Sequence, residues 1–170
     1  MDILMIFVSC GTQDKEFRRL FIEIERLIEE GKIKDKVIAQ IGNTKFKTNL
    51  LENKMKVIEF ASPDEMKELI KSADLIITHG GVATIIEGIN LEKKIIAVPR
   101  LKKYKEHVND HQLQIIENFN EKGYIIGTKG VEEIEEALKK VPRFEPKKYE
   151  SNNKKFLIRL ENSIINNSSN

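Results

Sequence analysis

The stretch ITHGGVATIIEGINLEKKIIAVPRLKKYKEHVNDHQ, Ile77 to Gln112, decides the architecture. Its opening belongs to a short apolar strand, Leu75 to Thr78, which breaks at His79-Gly80-Gly81. Val82 to Leu91 reads as a helix and Ile95 to Val98 as a second strand. Pro99 to Glu106 is a basic loop. A long helix then opens at His107 or Asn109 and runs to about Asn120, with Val108, Leu113, Ile115, Ile116 and Phe119 as its apolar positions. Apolar strands without polar alternation suit a parallel sheet covered on both faces. His79 and His111 sit where a strand finishes or the next helix begins, the edge at which an open α/β sheet keeps its ligand site.

The flanks repeat the pattern. Ile3 to Val8 is a buried-type strand ending at Ser9-Cys10-Gly11-Thr12. From Lys15, Phe17, Leu20, Phe21, Ile24, Leu27 and Ile28 fall on one helical stripe, closed by Gly31 as a C-cap. Val37 to Ile41 is a strand ending at Gly42, and Val57 to Phe60 a weak one. Ser62-Pro63-Asp64-Glu65 predicts a helix start, with Ser at N-cap, Pro at N1 and Glu at N3. After Gly123 come a short strand, Tyr124 to Ile126, and a last helix, Val131 to Lys140. This alternation predicts a three-layer Rossmann-like α/β sandwich with a mostly parallel sheet. Right-handed crossovers put the loops Ser9–Asp14, Gly42–Lys45, Phe60–Pro63, His79–Val82 and Pro99–Glu106 on one edge.

Residues 1–141 are thus expected to form the sheet domain, and residues 142–170 a linker or surface strap followed by a C-terminal helix. That helix carries Phe156, Leu157, Leu160 and Ile164, and Asn166 to Asn170 is expected to be disordered. Its apolar stripe could fold back on its own sheet or dock on a partner.

Composition excludes several classes. With 29 basic and 27 acidic residues in 170, no global field argues for nucleic acid. The single cysteine rules out a disulfide framework within the chain and fits a reducing cytosol. The apolar opening MDILMIFVSC is too short for a bilayer and lacks a basic n-region, so it reads as a strand. The chain is expected not to cross a membrane by itself.

The two glycine turns bear on chemistry. Gly11-Thr12 and His79-Gly80-Gly81, with Thr84 one turn inside its helix, each free backbone N–H groups at a helix start. Either alone reads equally well as a tight turn; two on one edge favour a phosphate. Neither fits GxxxxGK[ST], and GxGxxG is absent, so ATPase and dinucleotide readings lose support. Glu87, on the face of Thr84, could take ribose hydroxyls, or be an ordinary exposed glutamate. The loop Arg100 to Gln112 mixes imidazole, amide and carboxylate groups (Glu106, His107, Asn109, Asp110, His111), which suits a hydroxyl-rich ligand. No HExxH accompanies its histidines, and no metal is expected.

HGGVATIIEGINLEKKIIAVPRLKKYKEHVNDHQ, together with FVSCGTQ and QIGNTKF, resembles the nucleotide-sugar signature of GT-B glycosyltransferases. It is similar to the one-domain subunits of bacterial capsule and exopolysaccharide transferases, and to the soluble catalytic subunit of the dolichol-pathway N-acetylglucosaminyltransferase. The resemblance covers about Met1 to Lys140. Cys10 stands where such relatives usually have an aliphatic residue, and Val82-Ala83 where Gly or Ser is frequent.

The resemblance implies a UDP-sugar donor and no cofactor. It places Gly11, Thr12, Gly80, Gly81 and Thr84 at the diphosphate and Glu87 on the ribose. Pro99 and Arg100 fall near the uracil, and Asn109, Asp110, His111 and Gln112 near the sugar. Only the donor half of a GT-B fold is present. The implied protein is therefore one subunit of a two-component inverting transferase, moving a hexose or hexuronate to a lipid-linked saccharide in surface polysaccharide synthesis. The acceptor half would be a membrane-associated partner that recruits this cytoplasmic chain to the inner face of the plasma membrane. The general base is open between that partner and His79, Glu106, His107 or His111. A non-catalytic subunit that activates the membrane partner is the alternative. An epimerase-like or hydrolase module that consumes nucleotide sugar without an acceptor is a more distant one.

Overall fold

A computed structural model describes residues 5–148 together with residues 158, 159 and 162. The expected C-terminal stripe of Phe156, Leu157, Leu160 and Ile164, and the tail after it, lie outside the described residues.

Strand β1 (Met5–Ser9) leads into helix α1 (Arg18–Glu29), then β2 (Lys36–Gln40) and β3 (Met55–Ile58). Helix α2 (Pro63–Ser72), β4 (Leu75–His79), α3 (Val82–Asn90) and β5 (Lys94–Val98) follow. The chain closes with α4 (His111–Glu121), β6 (Ile126–Gly127) and α5 (Ile134–Lys140). The six strands form one sheet in the order β3-β2-β1-β4-β5-β6, and every pairing is parallel. The chain moves outward from β1 to β3, then returns to β4 on the other side of β1. That reversal opens a crevice beyond the carboxyl ends of β1 and β4, where doubly wound sheets bind ligands.

Each sheet face is covered as the apolar runs demand. The α1 stripe of Phe17, Leu20, Phe21, Ile24 and Leu27 is buried with Val8, Val37, Ile77 and Val98 on one face. Phe7, Ile76, Ile95 and Ala97 meet Ile70, Ile85, Ile115 and Phe119 on the other. The connection from β2 to β3 contains no helix; Phe46 and Leu50 from it pack on the first core, with Phe46 tilted against Phe21. Each fully buried Leu, Ile or Phe in these layers contributes about 1.5–3 kcal/mol.

The capping box at α2 is formed as its sequence predicts: Ser62 Oγ accepts from the Glu65 amide at 3.2 Å, and Glu65 Oε2 from the Ser62 amide at 2.7 Å. Ser62→Ala is expected to lower stability by about 1 kcal/mol, with an unchanged slope in a urea titration.

The helix expected from His107 or Asn109 begins instead at His111. Asn109 Oδ1 accepts the His111 amide at 3.0 Å and Asp110 Oδ1 the Lys102 amide at 2.7 Å, so the preceding residues are held in turns. Val108, read as a core position, is 65 % exposed. The last helix is likewise divided, a 3₁₀ turn over Val131–Glu133 preceding α5. Beyond α5 the chain lies against the domain as a strap, the Lys147 amide donating to the Gly123 carbonyl at 2.9 Å.

Candidate functional site

At the end of β1 the chain leaves the sheet through Gly11, whose φ of 76° suits glycine and strains any other residue. Gln40, the last residue of β2, is buried and ties three loops together. Its Oε1 accepts from Ser9 Oγ at 2.8 Å, and its Nε2 donates to the carbonyls of Gly11 (3.3 Å) and Glu59 (3.0 Å). Asn43 Nδ2 donates to the carbonyls of Thr12 and Gln13, and Thr44 Oγ1 accepts the Phe17 amide. The QIGNTKF segment thus props the Gly11–Gln13 turn from below.

Across the crevice, β4 ends at His79 and Gly81 is the N-cap of α3, with no side chain capping the first amides of that helix. Those N–H groups have no side-chain partner, and the positive end of the helix dipole lies beside them. A cavity of about 290 Å³ lies between the two turns. Gly11, Thr12, Gln13, Gln40, Ala61, Met66, His79, Gly81, Val82, Ala83 and Thr84 line it. An ideal Cβ on Gly11 would stand 2.5 Å from His79 Nε2, and one on Gly81 would overlap the same ring. Both glycines are therefore required where the imidazole edge enters the cleft.

His79 is buried, and its pKa is pushed down to about 3, mainly by desolvation and further by the positive charge of Arg100 and of His107. It is neutral at physiological pH. Burial pushes the Cys10 thiol up despite Arg100, and Cys10 Sγ meets the Ile41 carbonyl at 2.9 Å; this sulfur is a packed, protonated group.

Residues 5–166 match the description Glycosyltransferase family 28 C-terminal domain. The chain belongs to that family. The UDP-N-acetylglucosamine transferase subunit ALG13 of Saccharomyces cerevisiae is 32% identical over 85 residues, covering 49% of this chain and 40% of the relative. The subunit of the same name from Candida glabrata is 32% identical over 73 residues, covering 42% and 35%. The matched region is thus less than half of those relatives' length. Among solved structures, Os79 from O. sativa in complex with UDP superposes with a TM-score of 0.61 at 17% identity, over 92% of this chain and 34% of that one. The solution structure of ALG13 does so at 0.55 and 21% identity, over 91% and 94%. At such identities these structures establish the fold, one half of a GT-B glycosyltransferase.

In this family 28 domain the sequence-derived residues fall into two groups. Gly11, Thr12, His79, Gly81 and Thr84 share the cavity. Gly80 is buried behind it, and Glu87 sits half-buried one turn further along α3. The second group departs from expectation. Arg100, assigned to the uracil, is 0 % exposed. Its guanidinium donates to the carbonyls of Cys10 (2.6 Å), Lys15 (2.8 Å) and Glu106 (3.3 Å) and lies over the Phe17 ring. Pro99 is buried beside it. Glu106, a candidate base, is buried in a two-point ion pair with Arg19 at 2.7 and 3.0 Å and accepts the Leu101 amide. Gln112, assigned to the sugar, is 4 % exposed and faces inward. Its Oε1 accepts from Gly80 and Arg100 amides, and its Nε2 lies 3.3 Å from His79 Nδ1.

His107, Asn109 and Asp110 stand on the turns before α4 and His111 is its first residue; none of the four lines the cavity. His107 Nδ1 accepts the Asn109 amide, and burial lowers the pKa of that imidazole. A larger groove of about 450 Å³ opens on the other side of Ala61, lined mainly by Met5, Ile38, Ile58, Phe60 and Leu69; neither glycine turn contributes to it. Sequence reasoning missed Gln40. Its signal was a polar residue closing the buried strand VIAQ.

Proposed function

We propose that this chain is the UDP-sugar-binding subunit of a two-component, inverting glycosyltransferase whose acceptor half is a separate, membrane-associated chain. One observation carries the reading: Gly11, the His79 ring edge and the uncapped first turn of α3 converge on one cavity at the sheet's switch point. That arrangement suits a diphosphate, and the UDP complex of Os79 and the printed name of ALG13 support it. No helix among the described residues is long and apolar enough to cross a membrane, which fits a subunit recruited by its partner.

In the proposed transfer, an acceptor hydroxyl oxygen attacks the anomeric carbon on the face opposite the diphosphate. The new C–O bond forms as the bond to the β-phosphate oxygen breaks, and UDP departs with that electron pair. Backbone amides and the α3 dipole take up the charge on the leaving group without a divalent metal. The hydroxyl proton goes to a base on the partner or at His79, His107 or His111; both Glu106 oxygens are already engaged.

The relatives' name favours N-acetylglucosamine as the sugar. A hexuronate carboxylate would not find a partner in Arg100, because that guanidinium is turned inward. A lipid-linked acceptor and a surface-polysaccharide setting rest on the sequence resemblance.

Calorimetric titration with UDP, UDP-N-acetylglucosamine, UDP-glucose and UDP-glucuronate is the direct test, run on this chain alone and on the coexpressed pair. Binding of UDP with preference for the N-acetylated sugar is expected. Absence of binding in both samples would favour a non-catalytic activating subunit. Full-rate transfer to a lipid-linked saccharide by this chain alone would overturn the split. Gly11→Ala is expected to weaken UDP binding by about tenfold because the methyl group displaces the His79 ring, and to lower stability by about 1–2 kcal/mol because of the left-handed φ.

A further inference from the structure

We propose that Gln112 is a positioning residue whose amide locks His79 as the Nε2–H tautomer, making His79 a hydrogen-bond donor to the cleft and not a general base. The identity of the cleft's ligand rests on the function proposed above; the lock does not.

Two backbone amides settle the orientation of the Gln112 side chain. Arg100 N lies 2.9 Å and Gly80 N 3.1 Å from the same side-chain atom, and an N–H can only donate. That atom must therefore be the oxygen, and the other end of the amide is the NH2 group. This NH2 faces His79 Nδ1 at 3.3 Å. It has protons to give and no lone pair to offer, so Nδ1 must present its own lone pair. A neutral imidazole carries one N–H, which then resides on Nε2. The imidazolium form, with both nitrogens protonated, is opposed on every side. Gln112 cannot accept from it, and Arg100 and His107 place like charge nearby.

The direction of Nε2 follows from the glycines. Ideal Cβ positions on Gly11 and on Gly81 each lie 2.5 Å from His79 Nε2, so this atom occupies the gap between two residues that line the cavity. The ring consequently shows the cleft an N–H and no lone pair. It can donate to an anionic oxygen, but it cannot accept the proton of an attacking hydroxyl. The base must then come from His107, His111 or the partner chain.

Histidine-selective nitrogen–proton correlation spectroscopy reads this directly in the full chain, with no substitution needed. Expected is Nε2 in the protonated range and Nδ1 in the unprotonated range, both unchanged from about pH 8 to 5.5. A protonated Nδ1 in that window, or a ring that titrates within it, would overturn the lock. Gln112→Glu adds a second reading. One carboxylate oxygen can still accept from Gly80 and Arg100, while the other faces Nδ1 and demands a proton there. Its expected signature is a shift of Nδ1 into the protonated range, and an Nδ1 that stays unprotonated would equally overturn the proposal. A packing role for Gln112 alone moves neither resonance. UDP titration of the unsubstituted protein decides the donor-binding function separately, whichever way the tautomer falls.

Discussion

Arg100→Ala is expected to lower stability by about 4 kcal/mol and the melting temperature by roughly 10 °C. The side chain is wholly buried and joins the loop after β1 to the loop after β5 through the carbonyls of Cys10, Lys15 and Glu106. Truncation leaves three acceptors without their donor and opens a void beneath Phe17, so desolvation and packing losses add. Arg100→Lys keeps the charge but cannot span three carbonyls with one ammonium, and is expected to recover no more than half the loss. Urea unfolding of the three proteins checks both values. The outcome also separates roles. A uracil contact would leave stability near the wild-type value and reduce only UDP affinity.

Acidification from about pH 7 to 5 is expected to remove about 2 kcal/mol of folding stability through His79. The folded pKa is about 3, against an ordinary value of 6.5. Between those values the unfolded chain binds a proton that the folded chain refuses, so stability falls as pH falls. The loss begins near the unfolded pKa and is complete near the folded one. His107, whose pKa is also lowered by burial, adds in the same direction. Carboxylates held below their usual range, such as Glu65 and Glu135, enter only at lower pH. Urea midpoints measured at pH 7, 6 and 5 report the slope, and His79→Gln is expected to abolish most of it. An equal slope in that variant would mean that His79 titrates normally in the folded protein.

Much of the molecule was legible in the chain because its signals are local. Unbroken apolar runs mark strands buried on both faces, and the α1 stripe marks a helix with one side inward. Ser62 and Glu65 reveal a helix start through bonds spanning three residues. Parallel strands with right-handed crossovers then bring Gly11 and Gly81 to one edge, as their positions after strands implied. Where the local signal was weak, the expected boundaries moved. His107 to Asp110 resembles a helix in composition, yet short side-chain bonds from Asn109 and Asp110 hold it in turns.

The α/β order, the common edge and the two glycine turns on it were encoded in local pattern. Which polar side chains face the cavity between those turns was set by long-range packing. Arg100, Glu106 and Gln112 have the chemistry of ligand-binding residues and all point inward, whereas His79 reaches the cleft. The reason is separation along the chain. Arg100 answers to Cys10 across 90 residues, Glu106 to Arg19 across 87, and Gln112 to His79 across 33. No local pattern encodes which of two directions a long polar side chain takes. That choice is made when the buried carbonyls and amides of distant loops come together and need partners.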